Sequence, residues 1–366
     1  VNILFYYPSN LSAVSLSSLM TAFAGQGHQV FLLTQSEEGP LHRDVQPAGV
    51  RTFSTVVEKN NPFIFYLKHA RELVRFVKAH HIDLVYSHVQ QANIVAVLAQ
   101  RFCRARFIIC RHHSDSAYVE PNPNVRRFDR IINRLGRTFI VPSRKVLLQM
   151  TDVEKVDPRK IHYIRYAYDF SKYPAPQPAK VEALRQQFGA SLLLVKVARL
   201  IPEKRHLLLL QVMSKLVKEG LDIKLMLLSE GYLRPELEAF TSKNGLSGHV
   251  FFLGQQPNVI DYLSAADLVV HISASEASNN VVKEAALVKK PVIACRGVGD
   301  FDEYLADGVN SLLLPHQLTE QELENLLRAI YEKRLDTAAL GDRLYADVRR
   351  LFSISTILPQ YAPFHK

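Results

Sequence analysis

The stretch HISASEASNNVVKEAALVKKPVIA, residues 271–294, reads as a strand end, a polar loop, a short helix and the next strand. A strand followed by a helix and another strand is the repeating step of a parallel sheet. The loop carries Glu276, and the helix carries Glu284 eight residues later. A strand ends before this loop, and ligands of open α/β sheets sit beyond the carboxyl ends of strands. The stretch therefore bears on both fold and site.

The same step runs through the whole chain. In the first half NILFYY, QVFLLT, DLVYSHV, RFIICR and TFIVPS are short apolar runs. They are too continuous for half-exposed strands and suit a sheet covered on both faces. Amphipathic stretches such as SLSSLMTAFAGQG and FYLKHARELVRFVKAHH lie between them. Residues 172–181, KYPAPQPAKV, interrupt the rhythm with three prolines in five residues. They read as an extended spacer that breaks helix and strand. The rhythm then restarts with LLLVKVA, IKLMLLS, HVFFLG, DLVVHIS, PVIAC and SLLLP, without a sequence repeat. The expected fold class is α/β, with two Rossmann-like doubly wound parallel-sheet domains facing a central cleft. The length of 366 residues agrees with two domains. The final segment, LFSISTILPQYAPFHK, reads equally well as an end on the second domain or a return to the first.

Composition narrows the function. Hydrophobic residues make up 48% and charged residues 22%, a globular balance. No run of eighteen apolar residues suggests a membrane span. The opening VNILFYYP reads as a buried strand rather than a secretory leader. The three cysteines, Cys103, Cys110 and Cys295, are too scattered for a disulfide framework or zinc site. A cytoplasmic protein is the expectation. The net charge is +10, and residues 101–172 hold sixteen Lys or Arg against seven Asp or Glu. That bias suits an anionic partner or a solvated basic surface. Nucleic acid is not expected, because no basic stripe is interleaved with aromatics.

Three groups of residues suggest a site. In VARLIPEKR, Arg199 and Lys204 flank a loop at a strand end, where two cations suit a diphosphate or belong to a solvated loop. Asn279 or Asn280 can cap the helix that begins VVKEAAL, leaving its N–H groups and dipole for an anion. Glu284 lies inside that helix and leans toward its start, in reach of a pair of ribose hydroxyls. Glu276 would sit nearer a transferred sugar. The plain alternative is a dipole-complementing Glu284 and a solvent-facing Glu276. Third, RGVGDFDEYLADGVNSLLLP supplies glycine turns at 297, 299 and 308. Its Asp300 and Asp302 have no companion ligands for a metal, and GVGDFD lacks the third glycine of a dinucleotide fingerprint.

Taken together, residues 195–315 resemble the carboxyl half of the retaining glycosyltransferases of family 4, which have the two-Rossmann GT-B architecture. The resemblance rests on Arg199 and Lys204, on Glu276 and Glu284 with Asn280 between them, on VFFLGQQPNVIDYLSAADLVVHIS and on EYLADGVNSLLLP. It implies that Arg199 and Lys204 bind the donor diphosphate and support its departure. Glu284 would hold the ribose, and Glu276 would contact the transferred sugar. Backbone amides of Asn279, Asn280 and Val281 would assist the phosphate, and Ser229, Gly231 and Gln255 would lie at the nucleotide base. In the amino half, the segment ending CRHHSD is similar to the family's strand that leads to a functional His, with His112 favoured over His113 for the donor sugar. KIHYIRYAYD occupies the place of a further strand. The loop YPSNLSAVSLSS departs from the family by lacking a Gly-Gly pair, leaving Ser9, Asn10 and Ser12 as its hydrogen-bonding groups.

The tail resembles the family's crossing helix. The expected domains are therefore an acceptor-binding domain of residues 1–172 with 352–366, and a donor-binding domain of residues 173–351. The implied activity is metal-independent transfer of a sugar from a UDP-, GDP- or ADP-sugar, with no tightly bound cofactor. The acceptor would be a saccharide or lipid-linked hydroxyl, in bacterial cell-surface polysaccharide, lipopolysaccharide or glycolipid synthesis. The basic helix NPFIFYLKHARELVRFVKAHH permits contact with an anionic membrane face, or is simply a crossover helix. A non-catalytic nucleotide-sugar binder and a sugar-nucleotide epimerase of the same architecture are the alternatives.

Overall fold

The computed structural model describes residues 1–58, 61–113 and 123–365. It divides into two compact units, Val1–Phe170 with Leu351–Lys366, and Ser171–Arg350.

The first unit is built on β1 (Asn2–Tyr7), β2 (Gln29–Thr34), β3 (Arg51–Ser54), β4 (Leu84–His88), β5 (Arg106–Cys110), β6 (Phe139–Val141) and β7 (Ile161–Tyr163). They form one parallel sheet in the order β3-β2-β1-β4-β5-β6-β7. The second unit holds β8 (Leu192–Val197), β9 (Ile223–Leu228), β10 (Val250–Gly254), β11 (Leu268–His271), β12 (Val292–Cys295) and β13 (Leu312–Leu314). These are also parallel, in the order β10-β9-β8-β11-β12-β13. Both units are Rossmann-like. In each, the strand order reverses beside the first strand, between β1 and β4 and between β8 and β11. Loops leaving neighbouring strands part there and open a crevice at the carboxyl edge.

Central strands such as β4 and β11 are buried at every position, which is why they read as unbroken apolar runs. Strand β3 gives no such run: RTFS lies at the sheet edge and is half exposed. The proline stretch also differs from its reading as an extended spacer throughout. Pro178 opens the helix Pro178–Phe188. A proline at the first helical position loses no hydrogen bond, so the third proline starts a helix instead of preventing one.

The C-terminal turns Ile354–Ile357 and Leu358–Phe364 belong to the first unit. Ile357, Tyr361 and Phe364 are buried in one cluster with Phe5, Phe23 and Tyr86. Tyr86 Oη and His365 Nε2 lie 3.1 Å apart, which fixes the end of the chain to β4. The apolar spacing of the tail thus serves the first core.

Candidate functional site

In the second unit, β8 delivers the loop of Arg199 and Lys204, and β11 delivers the loop of Glu276. These are the two strands at which the order reverses. A short turn, Pro202–Lys204, brings the lysine back toward the neighbouring loop. The Ala274 N–H donates to Glu203 O at 2.7 Å and holds the two loops together. Lys204 Nζ then donates to Glu276 Oε1 at 2.5 Å and to Ser275 O at 3.2 Å. On the other side, His271 Nε2 lies 2.9 Å from the same Oε1. Burial alone would raise the Glu276 carboxyl, but His271 and Lys204 outweigh it and hold the group well below the usual carboxylate range. Gly299, at φ +55°, backs this loop. A Cβ there would stand 2.9 Å from Glu276 Cβ, so only glycine lets the two loops approach so closely.

The loop runs on into the helix Asn280–Leu287. Asn279 is its cap: the Val282 N–H donates to Asn279 Oδ1 at 3.1 Å. First-turn N–H groups, that of Val281 among them, have no acceptor one turn earlier and face the crevice end of the helix. A buried ion pair fixes this start. Lys283 and Asp300 are both fully buried, with Nζ 2.8 Å from Oδ2. Lys283 Nζ also donates to Asn279 O at 2.8 Å and Ser278 Oγ at 3.1 Å. Ser278 Oγ donates in turn to Asp300 Oδ2. Asp302 accepts the Gly297 N–H at 2.8 Å. Asp300 and Asp302 therefore serve as loop struts. Among the described residues no group of three or more His, Cys, Asp or Glu could hold a metal ion.

Glu284 is the fifth residue of that helix and half-buried. Burial pushes its carboxyl up to about 7, and Lys283 opposes this only in part. Such a group gains from hydroxyl donors brought by a ligand. Arg199 lies exposed at the end of β8, its side chain without a protein partner among the described residues. Ser229 follows β9 at φ 103°, its N–H donating to Gly254 O at 2.7 Å. Gly231 packs on the Arg199 loop: a Cβ would lie 2.3 Å from Leu200 O. Its need for glycine is met by that backbone contact. Gln255 is exposed in the loop after β10.

Three residues here carry no signal in the sequence. His271 steadies Glu276, Lys283 pins the helix start, and Lys196 is fully buried in β8 with no hydrogen-bond partner for Nζ among the described residues. Burial, with Lys204 nearby, lowers the Lys196 ammonium to about 7. Lys196 and Lys283 interrupt apolar runs. Only tertiary packing reveals them as buried.

In the first unit, His112 and His113 follow β5. His112 Nδ1 lies 2.5 Å from Tyr166 Oη, and its Nε2 lies 2.9 Å from His88 Nδ1. Burial, then His113, lowers His112 to about 4, so it is neutral near pH 7. His113 Nε2 lies 3.1 Å from Asp129 Oδ2. Both histidines are thus engaged inside the unit. Ser114 and Asp115, which end the quoted His segment, lie outside the described residues. The loop after β1 is also tied down. Asn10 Nδ2 donates to Glu37 O at 2.9 Å, Ser12 Oγ donates to Asp44 Oδ2 at 2.6 Å, and Ser9 Oγ accepts the Leu11 N–H at 3.2 Å.

The chain is similar to known proteins over most of its length. The profile described as "Glycosyl transferases group 1" matches residues 182–346, and that described as "Glycosyl transferase 4-like domain" matches residues 12–167. The chain is 23% identical to the lipopolysaccharide glucosyltransferase WaaG of Escherichia coli, over 95% of this chain and 94% of that protein. It is 22% identical to the alpha-D-kanosaminyltransferase of Streptomyces kanamyceticus, over 71% of this chain and 70% of that one. Among solved structures, HepE of Anabaena in complex with UDP-glucose superposes with a TM-score of 0.83 at 22% identity, covering 100% and 99% of the two chains.

Proposed function

The chain belongs to the GT-B glycosyltransferases, enzymes that take a sugar from a nucleoside-diphosphate donor, and we propose that it passes that sugar to an acceptor hydroxyl with retention at the anomeric carbon. The product would be a cell-surface polysaccharide, lipopolysaccharide or glycolipid, the setting of the WaaG relative. The observation that carries the reading is the meeting of Lys204 and Glu276 at the reversal of the second sheet. The ammonium has three protons. Glu276 and Ser275 take two, and the third is available to a phosphate oxygen. Arg199 adds a planar fork beside it. The helix start at Asn279, Asn280 and Val281 supplies N–H groups and the positive end of a dipole. Negative charge growing on the departing diphosphate is neutralised there without a metal ion.

Glu276 stays ionised through His271 and Lys204, and so can hold a sugar hydroxyl or face positive charge developing on the ring. Glu284 takes the ribose hydroxyls, and Ser229, Gly231 and Gln255 border the base. The leaving phosphate receives the acceptor proton in a front-face displacement. The donor-sugar contact given to His112 rests on the family resemblance alone, since both ring nitrogens have partners within its unit.

Incubation with UDP-, GDP- and ADP-sugars tests the proposal. The expected outcome is transfer or donor hydrolysis with one of them, reduced about 10²-fold or more in Lys204→Ala and Glu276→Ala. Turnover unchanged in both variants contradicts it. Tight donor binding without turnover favours the non-catalytic binder, for which the tied, glycine-free loop after β1 is the supporting observation.

The acceptor is proposed to be lipid-linked or membrane-bound. The helix Pro62–Ala79 buries Phe65, His69, Leu73 and Val77, yet leaves Phe63, Ile64 and Leu67 exposed beside Lys68, Arg71 and Arg75. Exposed apolar groups with a cationic flank suit an anionic bilayer surface. No helix among the described residues is long and apolar enough to cross a membrane. Co-sedimentation with phosphatidylglycerol vesicles should therefore fall about tenfold in Phe63→Ser/Leu67→Ser. Equal binding of wild type and variant contradicts the membrane contact.

A further inference from the structure

A cavity of about 990 Å³ opens in the first unit between the helix Pro123–Leu135 and the segment from Gln149 to Lys160. Arg126, Arg130 and Arg134 line one wall at four-residue spacing, and Lys155 and Lys160 line the other. Four residues of helix advance about 6 Å, so the three arginines make a row about 12 Å long. The acids that share the cavity are already engaged. Glu154 is gripped at both oxygens by the buried Arg111, at 2.5 and 2.6 Å, and accepts from Asn133 at 2.6 Å. Asp129 accepts from Gln90 at 2.7 Å and faces Arg111 and His113. Asp157 is taken by Arg159, at 2.8 Å for the closest bond. Arg126, Arg130, Arg134 and Lys155 are exposed and have no acidic partner among the described residues.

A concave wall of unneutralised guanidinium groups attracts anions, and planar forks in series fit phosphate oxygens. The buried Arg111 anchors Glu154 and Asp129 to the floor, so these acids do not compete for the arginine row. We propose that this cavity binds phosphate groups carried by the acceptor, as a second anion site apart from that for the donor diphosphate. The acceptor is then a phosphate-bearing saccharide chain, held by its charges while its hydroxyl reacts. The identity of the ligand as acceptor rests on the glycosyltransferase reading, but the anion site itself does not.

Sodium tripolyphosphate is the probe, titrated calorimetrically into the whole chain with the donor site saturated by the nucleoside diphosphate that binds best. The expected result is one remaining site. Arg130→Gln/Arg134→Gln should weaken it about tenfold or more and flatten its dependence on salt, leaving nucleoside diphosphate affinity unchanged. Lys180→Gln/Lys243→Gln removes the same charge from the exposed surface of the second unit and should leave both sites intact. Complete displacement of tripolyphosphate by the nucleotide overturns the proposal. So does equal weakening in the two double variants, which would mark general charge attraction. Binding of phosphatidylglycerol vesicles through Arg130 and Arg134, with no tripolyphosphate site, overturns it in favour of a bilayer surface. Failure of every nucleoside diphosphate to bind would sink the donor reading while leaving the tripolyphosphate result to stand or fall separately.

Discussion

The half-buried carboxyl of Glu284 should couple its acidity to donor binding. Its pKa is raised to about 7 by burial. The sign follows from the unfolded value, which is lower. The folded state prefers the protonated form, so this group's contribution to stability is complete in acid and is lost as pH rises through about 7. In the proposed site, ribose hydroxyls would reverse the preference by donating to the carboxylate. Nucleoside diphosphate binding should therefore release a proton below about pH 7, and affinity should fall as pH drops, by up to about tenfold per unit. Calorimetric titration across that range checks it. Glu284→Gln should bind more weakly and lose the pH slope, and an unchanged slope would remove Glu284 from the site.

The residue scale also shows what the sequence reveals and what it hides. Glu276, Glu284, Arg199 and Lys204 stand at strand ends and a helix start, where chemistry is expected, so their spacing is readable. His271 is hidden because a histidine at the end of an apolar strand looks like any other strand residue. The engagement of His112 with Tyr166 and His88 joins residues far apart in the chain, which no local pattern reports.

At the scale of elements, the helix Asn280–Leu287 is only eight residues long, too short to be stable from its own hydrogen bonds. Its start is held by the Asn279 cap and by the Lys283–Asp300 pair behind it. Removing one member of a fully buried pair leaves the other charge uncompensated, which costs about 3–5 kcal/mol. Asp300→Ala should lose that much in chemical denaturation. Lys283→Met/Asp300→Leu should recover most of it but bind donor less tightly, since Ser278 and Asn279 O lose the ammonium that fixes them. A loss under about 1 kcal/mol for Asp300→Ala would mean that the pair does not hold the loop. Buried strands were legible as unbroken apolar runs because both faces of the sheet are covered. Strand β3 was not, because an edge strand of four half-exposed residues lacks that pattern. The helix at Pro178 is not legible in the sequence, because a cluster of prolines reads as a break although proline is tolerated at a helix start.

At the scale of the whole molecule, two units each have their own parallel sheet, core and reversal point. The alternating pattern predicts both sheets, whereas periodicity does not place the C-terminal tail; the family resemblance assigns it to the first domain, and Ile357, Tyr361 and Phe364 lie in the first core. The charge of +10 is likewise legible as a total, but its use is not. Only the fold shows Arg126, Arg130 and Arg134 lining one cavity while the adjacent acids are engaged. The loops after β8 and β11, with the helix start, are proposed to form a nucleoside-diphosphate site. Calorimetric titration of the wild type, Lys204→Ala and Glu284→Ala with UDP, GDP and ADP near about pH 8 tests it most directly. The expected result is one site, a preference for one of these nucleotides over inorganic pyrophosphate, and affinity weakened about tenfold or more in each variant. No binding by any nucleotide, or binding that neither substitution disturbs, would contradict it.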